Sequence, residues 1–364
     1  MTTLPLNIVF LGLSLSSSWG NGHATTFRSL MRGLYAAGHK LTFLERDVSW
    51  YRSHRDLADP EFCDLIYYEH PDDLGRGLAE TIRKADVVVI GSFVPNGMAV
   101  IDAVASLSTA KLCFYDIDTP VTLAKLSSGD EEYIARRQVG LFDIYFSFTG
   151  GPTLQRLQSE FGAKSAEPLY CCVDSRRYVP TGDAPEWDLG YLGTYSPDRQ
   201  PALAELLIEV AKRLPRLRFV VAGPQYPQEI LWPDTVERID HLPPSQHAAF
   251  YSRQRFTLNI TRQDMIVAGW SPSVRLFEAA ACGCPVISDR WRGIEEFFIP
   301  DEAIMLAQRA EEVCAALTEM GEPQRRTIAR NARRRVLEAH TGVARARDFI
   351  DCLSPAGCTA TQAA

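Results

Sequence analysis

The stretch 271–289 reads SPSVRLFEAAACGCPVISD, and before its final aspartate only Arg275 and Glu278 carry charge. A helix opening after Pro272 would point the unpaired N–H groups near Ser273, Val274 and Arg275 at an anion, and phosphate is the natural ligand of such an end. Glu278 lies one turn deeper on a similar face, where a carboxylate accepts hydrogen bonds from sugar hydroxyls. A phosphate beside a ribose describes a nucleoside diphosphate. Ala279 to Ala281 let the helix pack closely on a sheet, and the Gly283–Pro285 break returns the chain to the short strand VIS. TYSPDRQ (194–200) adds Thr194 and Arg199. Arg199 would give a leaving diphosphate a bidentate grip, as would Arg275; the plain alternative is a surface arginine at a helix start.

Three further stretches carry candidate chemistry. GNGH places Gly20, Asn21 and Gly22 just before His23, where a strand hands over to a helix. That turn would approach a phosphate or sugar closely, with His23 as general base or hydrogen-bond donor; the plain reading is a tight turn. It is no dinucleotide fingerprint, because position 25 is threonine. FYDIDTP (114–120) holds Asp116 and Asp118. Either would bind sugar hydroxyls or act as a base; Asp118 and Thr119 ahead of Pro120 also suit a helix cap. SFTGGP (147–152) makes a glycine turn before a helix and nominates Thr149 and Gly150 as cleft-lining residues.

The elements that must position these residues alternate. Short apolar runs at 7–13, 40–45, 86–91, 111–118, 143–148 and 168–173 read as strands, with helices at 23–38, from about Met98, and at 150–162. The polar, turn-rich DSRRYVPTGDAPEW (174–187) reads as a linker. Strands then restart at 188–193, 217–223, 236–242, 255–261 and 303–307, with helices between them and two basic helices to about Leu353. Such alternation predicts an α/β protein with parallel sheets covered on both faces. The expected domains are 1–175 and 176–352, with a disordered tail at 353–364.

Bulk properties exclude several classes. The chain has 364 residues, 46% of them hydrophobic, which suits two domains. A net charge of −7 argues against a nucleic-acid partner. No apolar run is long enough to span a bilayer. NIVFLGLSL is broken by serines and runs into a glycine turn, so it reads as a first strand and not as a signal peptide. Nine cysteines, at 63, 113, 171, 172, 282, 284, 314, 352 and 358, show neither CxxC nor zinc spacing. They fit reduced core thiols and a cytoplasmic setting. The basic run RRTIARNARRR reads as a solvated helix face, with peripheral membrane contact as the outer limit.

VRLFEAAACGCPVISD resembles the donor-binding helix of GT-B glycosyltransferases, and the whole chain resembles their CgeB-like branch. SSSWGNGHATTFRSL, FYDIDTPVTL, SFTGGPTLQRL, DLGYLGTYSPDRQ and GWSPSVRLFEAAACG carry the likeness over roughly residues 7 to 298. The resemblance implies two facing Rossmann-like domains with parallel sheets and an interdomain cleft. The C-terminal domain would hold the sugar nucleotide and the N-terminal domain the acceptor, and the last helix often crosses back. It also implies that His241 and Leu242 lie where the base rests. Many retaining members carry two glutamates eight positions apart; the second matches Glu278, while the first falls on Trp270. In another glycosyltransferase fold an Asp-x-Asp pair holds a metal ion. Here the pair lies far in sequence from the phosphate helix, so no metal site is expected. The reading is a metal-independent glycosyltransferase without a cofactor, using a nucleotide-diphosphate sugar as co-substrate and a glycan, natural product or protein as acceptor. An epimerase or hydrolase of sugar nucleotides, or a non-catalytic sugar-nucleotide-binding partner, are the alternatives.

Overall fold

The computed structural model describes residues 4–354. The described residues divide into two compact units, 4–172 with 342–354 and 173–341. Beyond Ser354 the expected tail lies outside the described residues.

The first unit contains β1 (Asn7–Gly12), β2 (Lys40–Arg46), β3 (Asp64–Tyr68), β4 (Val87–Gly91), β5 (Lys111–Asp116), β6 (Ile144–Ser147) and β7 (Ala166–Pro168). They form one sheet in the order β3-β2-β1-β4-β5-β6-β7, and every neighbouring pair is parallel. Alternate residues feed two cores, as a doubly covered sheet requires. Val9, Leu11, Val88 and Ile90 enter one, while Ile8, Phe10, Val87 and Val89 enter the other. The expected strand over 168–173 is instead β7, at the sheet edge. Pro168 has no N–H with which to continue the ladder, and it pairs with Ser147 as the last residue. β3 escaped the sequence reading because its run DLIYY is only half-buried at the other edge.

The C-terminal helix Gly342–Leu353 packs on the helix Gly22–Ala36. Their crossing needs glycine on both sides. A Cβ on Gly33 would stand 2.1 Å from the Gly342 carbonyl oxygen, and one on Gly342 would stand 2.1 Å from that of Ser29.

The second unit contains β8 (Trp187–Leu192), β9 (Phe219–Ala222), β10 (Val236–Ile239), β11 (Gln254–Asn259), β12 (Val286–Ser288) and β13 (Met305–Leu306). The order is β10-β9-β8-β11-β12-β13, again parallel throughout. Three strands are clearly shorter than expected: β9 covers only Phe219–Ala222, β10 stops at Ile239, ahead of the prolines 243 and 244, and β13 has two residues. In both sheets the chain order reverses beside the first strand, between β1 and β4 and between β8 and β11. Ligands of open α/β sheets sit outside the carboxyl ends of strands at such a reversal.

Cys63, Cys113, Cys282, Cys284 and Cys314 are free thiols. No helix among those residues is long and apolar enough to cross a membrane. The basic run lies in the helix Glu322–Ala339 and is less solvated than expected. Arg333 donates to the Ala281 carbonyl, and Arg335 donates to that of Glu296.

Candidate active site

In the second unit the helix expected to open after Pro272 spans Val274–Ala281. Ser273 is its N-cap, no side chain caps it, and its first turn has no acidic residue. That leaves a positive helix end without an internal anion. Arg275 reaches back from this helix to the reversal between β8 and β11. Its Nε donates to the Leu192 carbonyl at the end of β8, and its Nη1 donates 3.0 Å to Asn259 Oδ1 at the end of β11. Its guanidinium also stands 5.0 Å over the Tyr191 ring. Asn259 is fixed in turn, donating 2.9 Å to Ser288 Oγ and 3.2 Å to Thr261 Oγ1. Thr261 donates to both oxygens of buried Asp289, so the ends of β11 and β12 form one polar ladder behind the arginine.

Arg199 is only 9% exposed, on the turn after β8. Its Nη2 donates 2.7 Å to the Thr194 carbonyl, and its Nε is buried with no partner. Burial lowers its pKa below the ordinary arginine value, and the charges of Arg275 and Arg262 add to the effect. It remains a cation, as arginine does in proteins. Among the described residues neither Arg199 nor Arg275 forms an ion pair; their hydrogen bonds end on neutral oxygens. Buried charge is costly unless paired. Two guanidiniums without an ion pair, that of Arg199 buried and that of Arg275 half-buried, thus stand at a strand-order reversal and could accept an anion.

Glu278 is 6% exposed, more enclosed than an open cleft would make it. The Tyr251 hydroxyl donates to its Oε2 at 3.4 Å. Tyr178 lies close by: burial, then the Glu278 charge, push its phenol well above the ordinary range. His247 Nδ1 is 3.3 Å from the Tyr178 hydroxyl, and its Nε2 is 3.3 Å from the Leu242 carbonyl. Burial lowers the His247 pKa, with the Glu278 charge opposing. Tyr178, His247, Tyr251 and Asn259 were missed in the sequence. Only the position of Asn259 at a strand's carboxyl end could have signalled it.

Other donor-side expectations fare unevenly. Val274 and Ser273 are half-buried, and Thr194 is exposed and contributes its carbonyl. His241 is exposed, and Leu242 takes part through its backbone. Trp270 is held in the left-handed region at φ +43°, unusual for a bulky residue. Its indole N–H donates to Glu296, and a Cβ on Gly293 would stand 2.5 Å from its ring. Its side chain thus serves the 292–296 loop and is not a free sugar contact.

In the first unit the structure joins two of the acceptor-side candidates. His23 Nε2 is 2.8 Å from Asp118 Oδ2, with side chains 12% and 28% exposed. Ser92 Oγ donates 2.9 Å to the same carboxylate oxygen. The three residues follow β1, β5 and β4, so the dyad stands at the reversal between β1 and β4. With the proton of a neutral imidazole on Nε2, Nδ1 keeps its lone pair; that atom is buried without a hydrogen-bond partner. Phe93, strained at φ +57°, meets the imidazole edge-on with ring centroids 6.0 Å apart. Asn21 is buried, and its Oδ1 caps the helix at the amides of His23 (3.0 Å) and Ala24 (3.3 Å). Gly20, at φ +61°, and Gly22 form the exposed turn.

Three candidates of this unit are corrected. Asp116 is fully buried. Its Oδ2 accepts from Tyr145 at 2.6 Å, and its Oδ1 accepts from Thr122 Oγ1 and from the Asp118 amide. It therefore supports the dyad from below and does not face an acceptor; burial pushes its pKa up to about 7. Thr149 and Gly150 are buried too, and a Cβ on Gly150 would stand 2.0 Å from the Tyr170 hydroxyl. Asp118 occupies the cap position of the helix Thr119–Ser128 but makes no side-chain cap bond, because its carboxylate serves His23. Among the described residues no group of three or more His, Cys, Asp or Glu is arranged to hold a metal ion.

No curated protein sequence matches the chain significantly. Its structure is similar to that of sucrose-phosphate synthase from Thermosynechococcus elongatus (15% identity, 96% of this chain and 98% of that one, TM-score 0.66). It is also similar to Anabaena Alr3699/HepE in complex with UDP (13%, 96% and 99%, 0.70). A third is AviGT4, a glycosyltransferase involved in avilamycin A biosynthesis (16%, 98% and 99%, 0.64). At such identities the likeness establishes the fold, which is GT-B. Residues 199–351, which include Arg199, Arg275 and Glu278, match the family model described as glycosyl transferase-like. The chain thus joins a GT-B fold to a glycosyl transferase-like sequence match over residues 199–351.

Proposed function

We propose that the chain moves a sugar from a nucleoside diphosphate donor, UDP-linked in the first instance, to the hydroxyl of an acceptor, without a metal ion. The observation that carries this reading is the pair of guanidiniums, Arg199 and Arg275, that meet no carboxylate beside an uncapped helix start. An anion placed there would complete the hydrogen bonds of Arg199 Nε and of the first helical amides. Those groups are fixed before reaction and would stabilise the charge growing on the departing diphosphate. Glu278 would exchange its long bond from Tyr251 for stronger ones from the ribose hydroxyls. HepE is a neighbour whose solved complex contains UDP, which supports uridine as the first base to test.

The His23–Asp118 dyad supplies the acceptor side. Asp118 orients the ring through Nε2 and stabilises the imidazolium, while His23 takes the acceptor's proton as the acceptor oxygen attacks the anomeric carbon and the bond to the diphosphate breaks. A base acting on the acceptor fits an inverting displacement. The acceptor is a glycan, natural product or protein hydroxyl, and the buried thiols of Cys113, Cys282 and Cys284 fit a reducing, cytoplasmic setting. Thermal shift with UDP in EDTA tests the donor half. At about a hundred times its dissociation constant UDP should stabilise the fold by roughly 2.7 kcal/mol. No shift with any nucleoside diphosphate at millimolar concentration would sink the reading.

A further inference from the structure

Two tryptophans of the first unit stand open to solvent without any role so far. Trp19 is 44% exposed and Trp50 is 56% exposed. Their rings meet edge-on with centroids 4.9 Å apart, and His54 stacks flat on Trp19 at 4.4 Å. Single exposed apolar side chains are ordinary, but a joined aromatic patch calls for an explanation.

The patch is held rigid. Buried Glu45, at the end of β2, accepts from Ser14 Oγ, the Leu15 amide, and the amide and Oγ of Ser16, at 2.6–2.9 Å. Asp56 accepts from the amide and Oγ of Ser18 and receives a bidentate grip from Arg28. Ser17 Oγ donates 2.8 Å to the His54 carbonyl. The loop after β1 is thus tied to the segment after β2, and the indoles are fixed before any ligand arrives. Rigid aromatic side chains offer contact area at low entropic cost.

Trp19 is also close to the dyad histidine along the chain. The Asn21 amide donates to the Ser18 carbonyl and closes a turn around Trp19, and the Asn21 side chain caps the His23 amide. Nearby charges are paired, Asp47 with Arg52 and Arg55, and Asp56 with Arg28. What remains for a ligand is an uncharged ring surface.

We propose that Trp19 and Trp50 form the acceptor platform, and that the acceptor presents an uncharged ring face, aromatic or pyranose, to these indoles. The inference rests on the reading of His23 as the acceptor base, and it names the acceptor's chemistry. The ring lies against the tryptophans while a hydroxyl on or beside it reaches toward His23. A straight-chain alcohol has no face to stack and is held poorly.

Saturation-transfer NMR on the full chain tests this with four probes: 4-methylphenol, methyl β-glucoside, hexan-1-ol and UDP. Ring protons of the phenol, the glucoside or both should take up saturation, while hexan-1-ol should not. In Trp19→Leu/Trp50→Leu the ring probes should bind roughly tenfold more weakly, with the UDP signal and the melting curve unchanged. Transfer to the phenol alone identifies an aromatic acceptor, and transfer to the glucoside alone a sugar. Equal ring binding in the variant, no ring binding to the wild type, or equal transfer to hexan-1-ol overturns the platform. Loss of UDP binding in both proteins counts instead against the donor reading, and the ring-probe comparison then judges the platform alone.

Discussion

Replacing Arg199 by methionine should move stability and nucleotide affinity in opposite directions. The side chain is 9% exposed, makes one hydrogen bond to the carbonyl of exposed Thr194, and leaves its buried Nε unpartnered. An unsatisfied buried donor costs about 1–3 kcal/mol. Methionine keeps most of the stem's packing and removes both the charge and the orphaned donor, and water can serve the Thr194 carbonyl. The ligand-free variant should therefore be as stable as the wild type or more stable by about 1–2 kcal/mol. Nucleotide binding loses a charge-assisted contact to the diphosphate worth about 1.5–3 kcal/mol, which is roughly 10- to 150-fold in affinity. Urea unfolding with and without UDP, together with calorimetric titration, reads both quantities. A variant that loses stability and keeps its UDP affinity would show that Arg199 serves the fold, and the anion-site argument would fail with it.

Four other outcomes follow from the same geometry. Glu278→Ala should weaken UDP binding about tenfold or more, and should also lower stability by about 1–3 kcal/mol, because Tyr251 loses a buried acceptor; Glu278→Gln should lose less of both, by titration and melts. His23→Ala or Asp118→Asn should reduce turnover by about 10²–10⁴-fold while leaving UDP affinity unchanged; a variant with near-normal turnover would remove the base from the mechanism. Asp116, raised from 3.8 to about 7, keeps a proton in the folded state that the unfolded chain has released. Its contribution should therefore make stability fall as pH rises through that window, and Asp116→Asn should flatten the fall in denaturant melts; an unchanged pH profile refutes it. Product analysis by NMR should show an inverted anomeric centre, whereas retention would contradict proton transfer to His23 as the acceptor's driving step.

The sheet strands and the helix Val274–Ala281 were largely legible because apolar period and glycine breaks are local signals. Each residue of β1 and β4 declares its burial by type, and SPSVRLFE declares a helix start by proline and serine. His23 and Asp118 were both found as candidates, but their 2.8 Å partnership was not, because it joins the ends of two strands 95 positions apart in sequence. Asp116 looked equivalent to Asp118, two positions away. The end of the strand decides the difference: Asp116 is the last residue of β5 and faces Tyr145, while Asp118 has left the strand and turns to His23. Thr149 and Gly150 failed for a related reason, since nothing local shows that the Tyr170 hydroxyl fills the space beside them. The enclosure of Glu278 by Tyr178, Tyr251 and His247 depends on three separate segments, and the exposed tryptophan pair depends on the buried Glu45 that ties two loops together.

The most direct test is turnover with the intact chain in EDTA. UDP-sugars are incubated with ring-bearing hydroxyl acceptors, and both UDP release and acceptor mass are followed by mass spectrometry. The account predicts that one donor gives equal amounts of UDP and of an acceptor heavier by one sugar, and that Arg275→Met abolishes both. Conversion of the donor to an epimer or to free sugar regardless of acceptor, or activity that appears only when a divalent metal is restored, would contradict it.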